Sequence, residues 1–157
     1  WLDTLQFADN AKKLDAYRNN FWKYTTKLEY TAEADEKVFF VAEGVDYEFK
    51  VLLDGNELLH QEGMYTPVEL DLTDKASHGS TLEILIYPHP CAPDSVPDTR
   101  DEARESCKPP VTYGWDWNPH LLISGLWKPA YVETRKADYI KSCELFYDLN
   151  VENLTAD

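Results

Sequence analysis

Between Phe21 and Ile86 the chain repeats one pattern: short runs of alternating apolar and polar side chains, separated by turn residues. Val68, Leu70 and Leu72 alternate with Glu69, Asp71 and Thr73. Successive side chains of an extended strand point to opposite faces, so a period of two gives one dry face and one wet face. Phe49, Val51 and Leu53 alternate in the same way with Glu48, Lys50 and Leu52, and Leu82, Ile84 and Ile86 form a further strand of this kind. Asp54-Gly55 reads as a tight turn, since glycine takes positive φ without steric cost, and Asn56 to His60 returns as the hairpin partner. Phe21 to Tyr30 and Lys37 to Glu43 are aromatic and β-branched and read as strands, while Ala130 to Thr134 closes the series. No long amphipathic helix interrupts it. The pattern predicts an all-β, antiparallel sandwich.

With 157 residues, 43% hydrophobic and 13% aromatic, the chain is long and apolar enough for one domain with a real core. A formal net charge of −14 makes nucleic acid a poor partner, because phosphate binding needs clustered Lys and Arg. The same charge opposes docking to an anionic membrane, and no apolar run approaches the roughly 20 residues needed to span one. The chain opens on Trp1 with no signal peptide in view, so a processed or trimmed start is expected.

Three cysteines, Cys91, Cys107 and Cys143, leave at least one thiol free. If the protein is exported, a Cys91–Cys107 bridge would close a loop of about 16 residues, worth about 3 kcal/mol on the chain-entropy account. In a reducing compartment it would not persist. His60, His78, His89 and His120 have no metal-ligand spacing, and the sequence has no nucleophile elbow and no phosphate loop. No cofactor and no metal is expected, although the acidic run Asp94 to Glu105 leaves calcium open.

Residues 1–20 read as an arm in which Leu14, Tyr17 and Phe21 sit at helical spacing. Six of the nine prolines lie between Pro88 and Pro110, which marks a long surface loop, with Asp98 to Glu105 able to form two turns of helix. Arg135 to Lys141 reads as a linker, and Cys143 to Asn150 alternates again. Asn153-Leu154-Thr155 matches a glycosylation acceptor, a tripeptide that also occurs by chance.

Three of the five tryptophans fall between Trp115 and Trp127, and Asp116 stands between two indoles. An indole face packs against the apolar C–H face of a pyranose, and a carboxylate accepts hydrogen bonds from ring hydroxyls. Gly114 and Pro119 would form the turn that presents them. Paired tryptophans also serve as core, and an aspartate in a turn as a cap, so this composition leaves sugar binding and plain packing both open.

The run Tyr113-Gly114-Trp115-Asp116-Trp117-Asn118-Pro119, followed by Ser124-Gly125-Leu126-Trp127-Lys128-Pro129, resembles the end of the N-terminal sugar-binding domain of family 2 glycoside hydrolases, most of all the β-mannosidase branch. Gly44-Val45-Asp46, Val51 to Gly55, Pro67 and Asp71 to Asp74 are similar to the turns and core of the same domain. The resemblance covers about Phe21 to Glu133 and implies a galactose-binding-like jelly roll over residues 21–137. Residues 138–157 would then be a linker and the start of an immunoglobulin-like domain.

The same resemblance implies that both catalytic glutamates belong to a separate (β/α)₈ barrel, so that this chain carries no catalytic residue and binds a glycoside for a neighbour. Among the 29 acidic residues no pair is singled out by spacing. Carried onto this sequence, Trp115 is the apolar wall, Asp116 the hydroxyl acceptor, and Trp117 a ring packed inward to brace the loop. His120 stands where the family usually has arginine, which replaces a fixed donor fork by a pH-dependent donor. Asn118 stands where glycine is usual. These departures leave open a β-galactosidase- or β-glucuronidase-type member. Two other readings stay open: a free-standing carbohydrate-binding module, and a structural domain whose tryptophans are all core. The polysaccharide-degrading habit of the family points to export, to the periplasm or outside the cell.

Overall fold

The computed structural model of the chain describes Thr4 and residues 7–156. Strands β1 (Trp22–Lys27), β2 (Lys37–Ala42), β3 (Val45–Asp46), β4 (Glu48–Leu53), β5 (Asn56–Glu62), β6 (Val68–Asp71) and β7 (Thr81–Ile86) follow one another with short turns. After the long loop come β8 (Gly125–Leu126) and β9 (Ala130–Arg135), then a small tail hairpin of β10 (Leu149–Asn150) and β11 (Thr155–Ala156).

Two sheets form the sandwich, one in the order β1-β7-β4-β5 and one in the order β6-β2-β9. Their strand pairs are antiparallel, as are the short pairs β3-β8 and β10-β11. The alternation read in the sequence is the burial observed. Phe49, Val51 and Leu53 of β4, and Leu82, Ile84 and Ile86 of β7, are buried while the residues between them are partly exposed. They meet Val38, Phe40 and Ala42 of the facing sheet, with Val68 and Leu72, in one core. Each such side chain contributes about 1.5–3 kcal/mol when taken out of water.

Asp54 and Gly55 both have positive φ, 48° and 82°, which is the two-residue turn whose twist matches the β4–β5 hairpin. Gly44 answers a different need: a Cβ there would lie 2.5 Å from Nε1 of Trp127, whose indole N–H donates to the Met64 carbonyl.

Strand β1 is an edge strand, and all six of its residues are exposed. The proline-rich loop folds on a small core of its own, formed by Ala103, Tyr113 and Leu122. Within it the two helical turns expected over Asp98 to Glu105 shrink to one 3₁₀ turn, Arg100–Ala103, capped by the Thr99 hydroxyl accepting from the Asp101 N–H. The helical spacing of the N-terminal arm is likewise taken up as 3₁₀ helix, Ala8–Tyr17. Cys143 to Asn150, which alternates in the sequence, carries no strand before Leu149–Asn150. A lone hairpin with neither face covered gains too little burial to extend further. Cys91, Cys107 and Cys143 are all free thiols, so the Cys91–Cys107 bridge does not form.

Candidate functional site

The aromatic stretch is a loop tied at its base and tight at its tip. Tyr113 bridges to His120, and the Leu121 N–H donates to the Thr112 carbonyl at 3.1 Å. Tyr113 is fully buried, donates from its hydroxyl to the Pro90 carbonyl, and has its pKa pushed up to about 12, chiefly by that burial. At the tip, Trp115 and Asn118 exchange backbone hydrogen bonds of 3.0 and 3.1 Å. The Asn118 side-chain amide donates to the carbonyls of Val111 and Pro119, which fixes the turn from within. The asparagine thus has a structural use.

This geometry sends Asp116 and Trp117 outward. Asp116 is exposed and lines none of the three concavities described for the surface. Trp115 is 41% exposed with the Arg100 guanidinium 3.7 Å over its ring. Trp117 corrects the expectation that it packs inward: it is 79% exposed and meets Trp115 edge-on at 6.3 Å. The two-residue tip leaves no interior within reach of that ring.

His120, by contrast, is turned into the protein, its side chain 17% exposed. Its Nε2 lies 3.2 Å from Arg18 and 3.1 Å from Glu102. Arg18 donates to Asp98 at 2.7 Å and to both oxygens of Glu102 at 3.0 and 2.9 Å, and Glu102 also accepts from the Asp98 N–H. Glu102 is buried, and its paired partners make that burial tolerable. Asp98, Glu102 and His120 bring one ligand atom each within 4.8 Å of one another, close enough for a cation to be shared. The guanidinium of Arg18 already serves both carboxylates, so the positive charge this group needs is supplied by the protein. No sequence signal announced the cluster, because Arg18 lies 84 positions from Glu102 and 102 from His120.

A second buried ion pair fixes the far side of the loop. Lys108 and Asp46, with side chains 2% and 7% exposed, are paired, and Lys108 also donates to the Ile123 carbonyl at 3.0 Å. Burial pushes the Asp46 carboxyl up and Lys108 opposes that, while Asp46 Oδ1 has no hydrogen-bond partner among the described residues. The Cys107 N–H donates to the Tyr47 hydroxyl beside it.

Fold and loop together define a galactose-binding-like β-sandwich that carries an aromatic–acid turn at its rim. The chain belongs to the glycosyl hydrolase 2 galactose-binding domain-like family, whose pattern matches residues 2–128. Among curated relatives, β-mannosidase B of Emericella nidulans is 33% identical over 135 residues, covering 77% of this chain and 15% of the relative. β-Mannosidase of the goat, Capra hircus, is 25% identical over 131 residues, 71% of this chain and 15% of the relative. Among solved structures, β-D-mannosidase of Dictyoglomus thermophilum superposes with a TM-score of 0.62 at 22% identity, over 82% of this chain and 17% of that one. β-D-Glucuronidase from Dictyoglomus thermophilum gives 0.51 at 16% identity, over 83% of this chain and 23% of that one. The chain thus spans about 15% of the length of these curated relatives.

Proposed function

We propose that this chain is the non-catalytic sugar-binding domain of a β-mannosidase-like glycoside hydrolase, and that its Trp115–Asp116 edge enters a substrate site completed by a separate barrel domain. The observation that carries the reading is an exposed carboxylate and a half-exposed indole on a turn locked by two backbone hydrogen bonds. Binding energy is lost whenever a contact group must first be ordered, and this edge is ordered in advance. Trp115 offers a ring face to the sugar, Asp116 accepts from hydroxyls remote from the bond being broken, and Trp117 supplies a second outward ring. His120 acts through the loop, as a brace between Arg18 and Glu102, and does not itself reach substrate.

Neighbouring domains belong to the same reading. Ile140, Leu145, Phe146 and Leu154 are each at least 84% exposed, an apolar set that a following immunoglobulin-like domain would cover. In the full-length enzyme acting on a β-mannoside, Trp115→Ala is expected to lower kcat/KM by about 10–100-fold with an unchanged thermal midpoint. Activity equal to that of the parent enzyme would remove the loop from the substrate site.

A further inference from the structure

A cavity of about 300 Å³ lies between the N-terminal arm, edge strand β1 and the segment that follows the aromatic loop. That is the lower end of the range for ligand pockets, roughly 300–1,000 Å³, and leaves room for one ring more readily than for a chain of them. Three aromatic side chains stand on its walls, Tyr17, Trp22 and Tyr24. They are 44%, 40% and 44% exposed, and the Tyr17 and Trp22 rings are tilted at 48° with centroids 6.1 Å apart. Trp22 and Tyr24 stand opposite Ile86 and Ile84 of β7, on the inward face of the sheet, yet lie outside the buried cluster.

The polar groups of the cavity are neutral or already paired. Lys23 is paired with Glu83 at 2.7 Å, and Arg18 with Asp98 and Glu102, so among the described residues lining the cavity no free cation is offered to an anion. His89 stays neutral down to about pH 4, chiefly because of its burial. On the same wall, the Ser124 hydroxyl oxygen is buried and has no hydrogen-bond partner among the described residues. Native structures rarely leave such a group unpaired, and a ligand hydroxyl would satisfy it.

We infer that this cavity is a second saccharide-binding site, which takes one uncharged pyranose against Trp22 and Tyr24 and hydrogen-bonds it through Ser124. Aromatic faces meet the C–H face of the ring, and neutral donors and acceptors meet its hydroxyls. An anionic ligand is disfavoured both by the pairing of the two cations and by the net charge of −14. The site is independent of the Trp115–Asp116 reading, since neither residue lines the cavity.

The test is titration of the full chain with methyl β-D-mannopyranoside and methyl β-D-glucopyranoside, followed by saturation-transfer NMR and tryptophan fluorescence. Millimolar binding is expected. Trp22→Ala should weaken it about tenfold or more, and Trp22→Phe should keep most of it. Ser124→Ala should weaken it about 3–10-fold with a thermal midpoint that is not lowered, because the hydroxyl it removes has no protein partner. Asp116→Ala, which removes a group of the proposed loop site, should leave the component of binding that Trp22→Ala removes. Binding lost with Asp116→Ala and kept in Trp22→Ala would overturn the second site while leaving the loop reading in place. Absence of binding by either glycoside up to about 100 mM would overturn it too.

Discussion

The guanidinium of Arg100 lies over the indole of Trp115, 3.7 Å from the ring centroid. One side of the ring is thereby occupied by a cation from the 3₁₀ turn, and the residue is still 41% exposed. A cation–π contact at a site of this exposure is worth about 0.5–1 kcal/mol. On the proposed function, Arg100→Ala in the full-length protein is therefore expected to raise KM for a β-mannoside roughly 2–5-fold with little loss in kcat. A larger effect on kcat than on KM would place Arg100 in the chemistry instead.

Lys108 and Asp46 decide whether the long loop stays on the sheet. Removing one member leaves an uncompensated charge in the interior, and such changes cost about 3–5 kcal/mol. Lys108→Met should therefore lower the unfolding free energy by that amount, read from denaturant midpoints. Asp46→Leu added to it should recover much of the loss, since the partnerless Asp46 Oδ1 goes with it. Additive losses in the double variant would contradict this account.

Gly44 is where the backbone approaches an indole too closely for any side chain. A Cβ would meet Nε1 and Cε2 of Trp127 at 2.5 and 2.6 Å. Gly44→Ala is expected to cost about 1–3 kcal/mol. In a Trp127→Ala background the same substitution should be nearly neutral, and the double-mutant cycle measures the coupling. Equal costs in both backgrounds would rule the clash out.

Acid sensitivity has a local source in His89. Burial holds its pKa at about 4 against an ordinary 6.5; Lys108, Arg18 and His120 push the same way, and Glu102 opposes them. The unfolded chain takes up this proton below pH 6.5 and the folded one only near pH 4. The stability is complete above 6.5 and falls as pH drops through that window. Denaturation midpoints at pH 7, 5.5 and 4 should show a decline that His89→Gln flattens. An identical slope in the variant would assign the decline to other groups.

The sandwich was legible because each strand states its own face. Val68, Leu70 and Leu72, or Leu82, Ile84 and Ile86, need no partner to announce which side is dry. Asp54-Gly55 likewise carries its turn in two residues. What was not legible depends on contacts between distant positions. Trp117 was expected to pack inward, and its exposure follows from the Trp115–Asn118 turn, whose closure no residue type alone specifies. The place of His120 was set by Arg18 of the arm, which no spacing rule could pair with it. Cys143 to Asn150 alternates as a strand does, yet alternation gives a face only where something covers it.

The most direct test of the account is the kinetics of Asp116→Ala in the full-length enzyme, measured with a β-mannoside beside the thermal midpoint of the same variant. Loss of a charge-assisted hydrogen bond to the substrate in the transition state, about 1.5–3 kcal/mol, predicts a fall in kcat/KM of roughly 10–100-fold at an unchanged midpoint, since Asp116 is exposed. Unchanged kinetics would contradict it, and the loop would then be a surface feature of a scaffold.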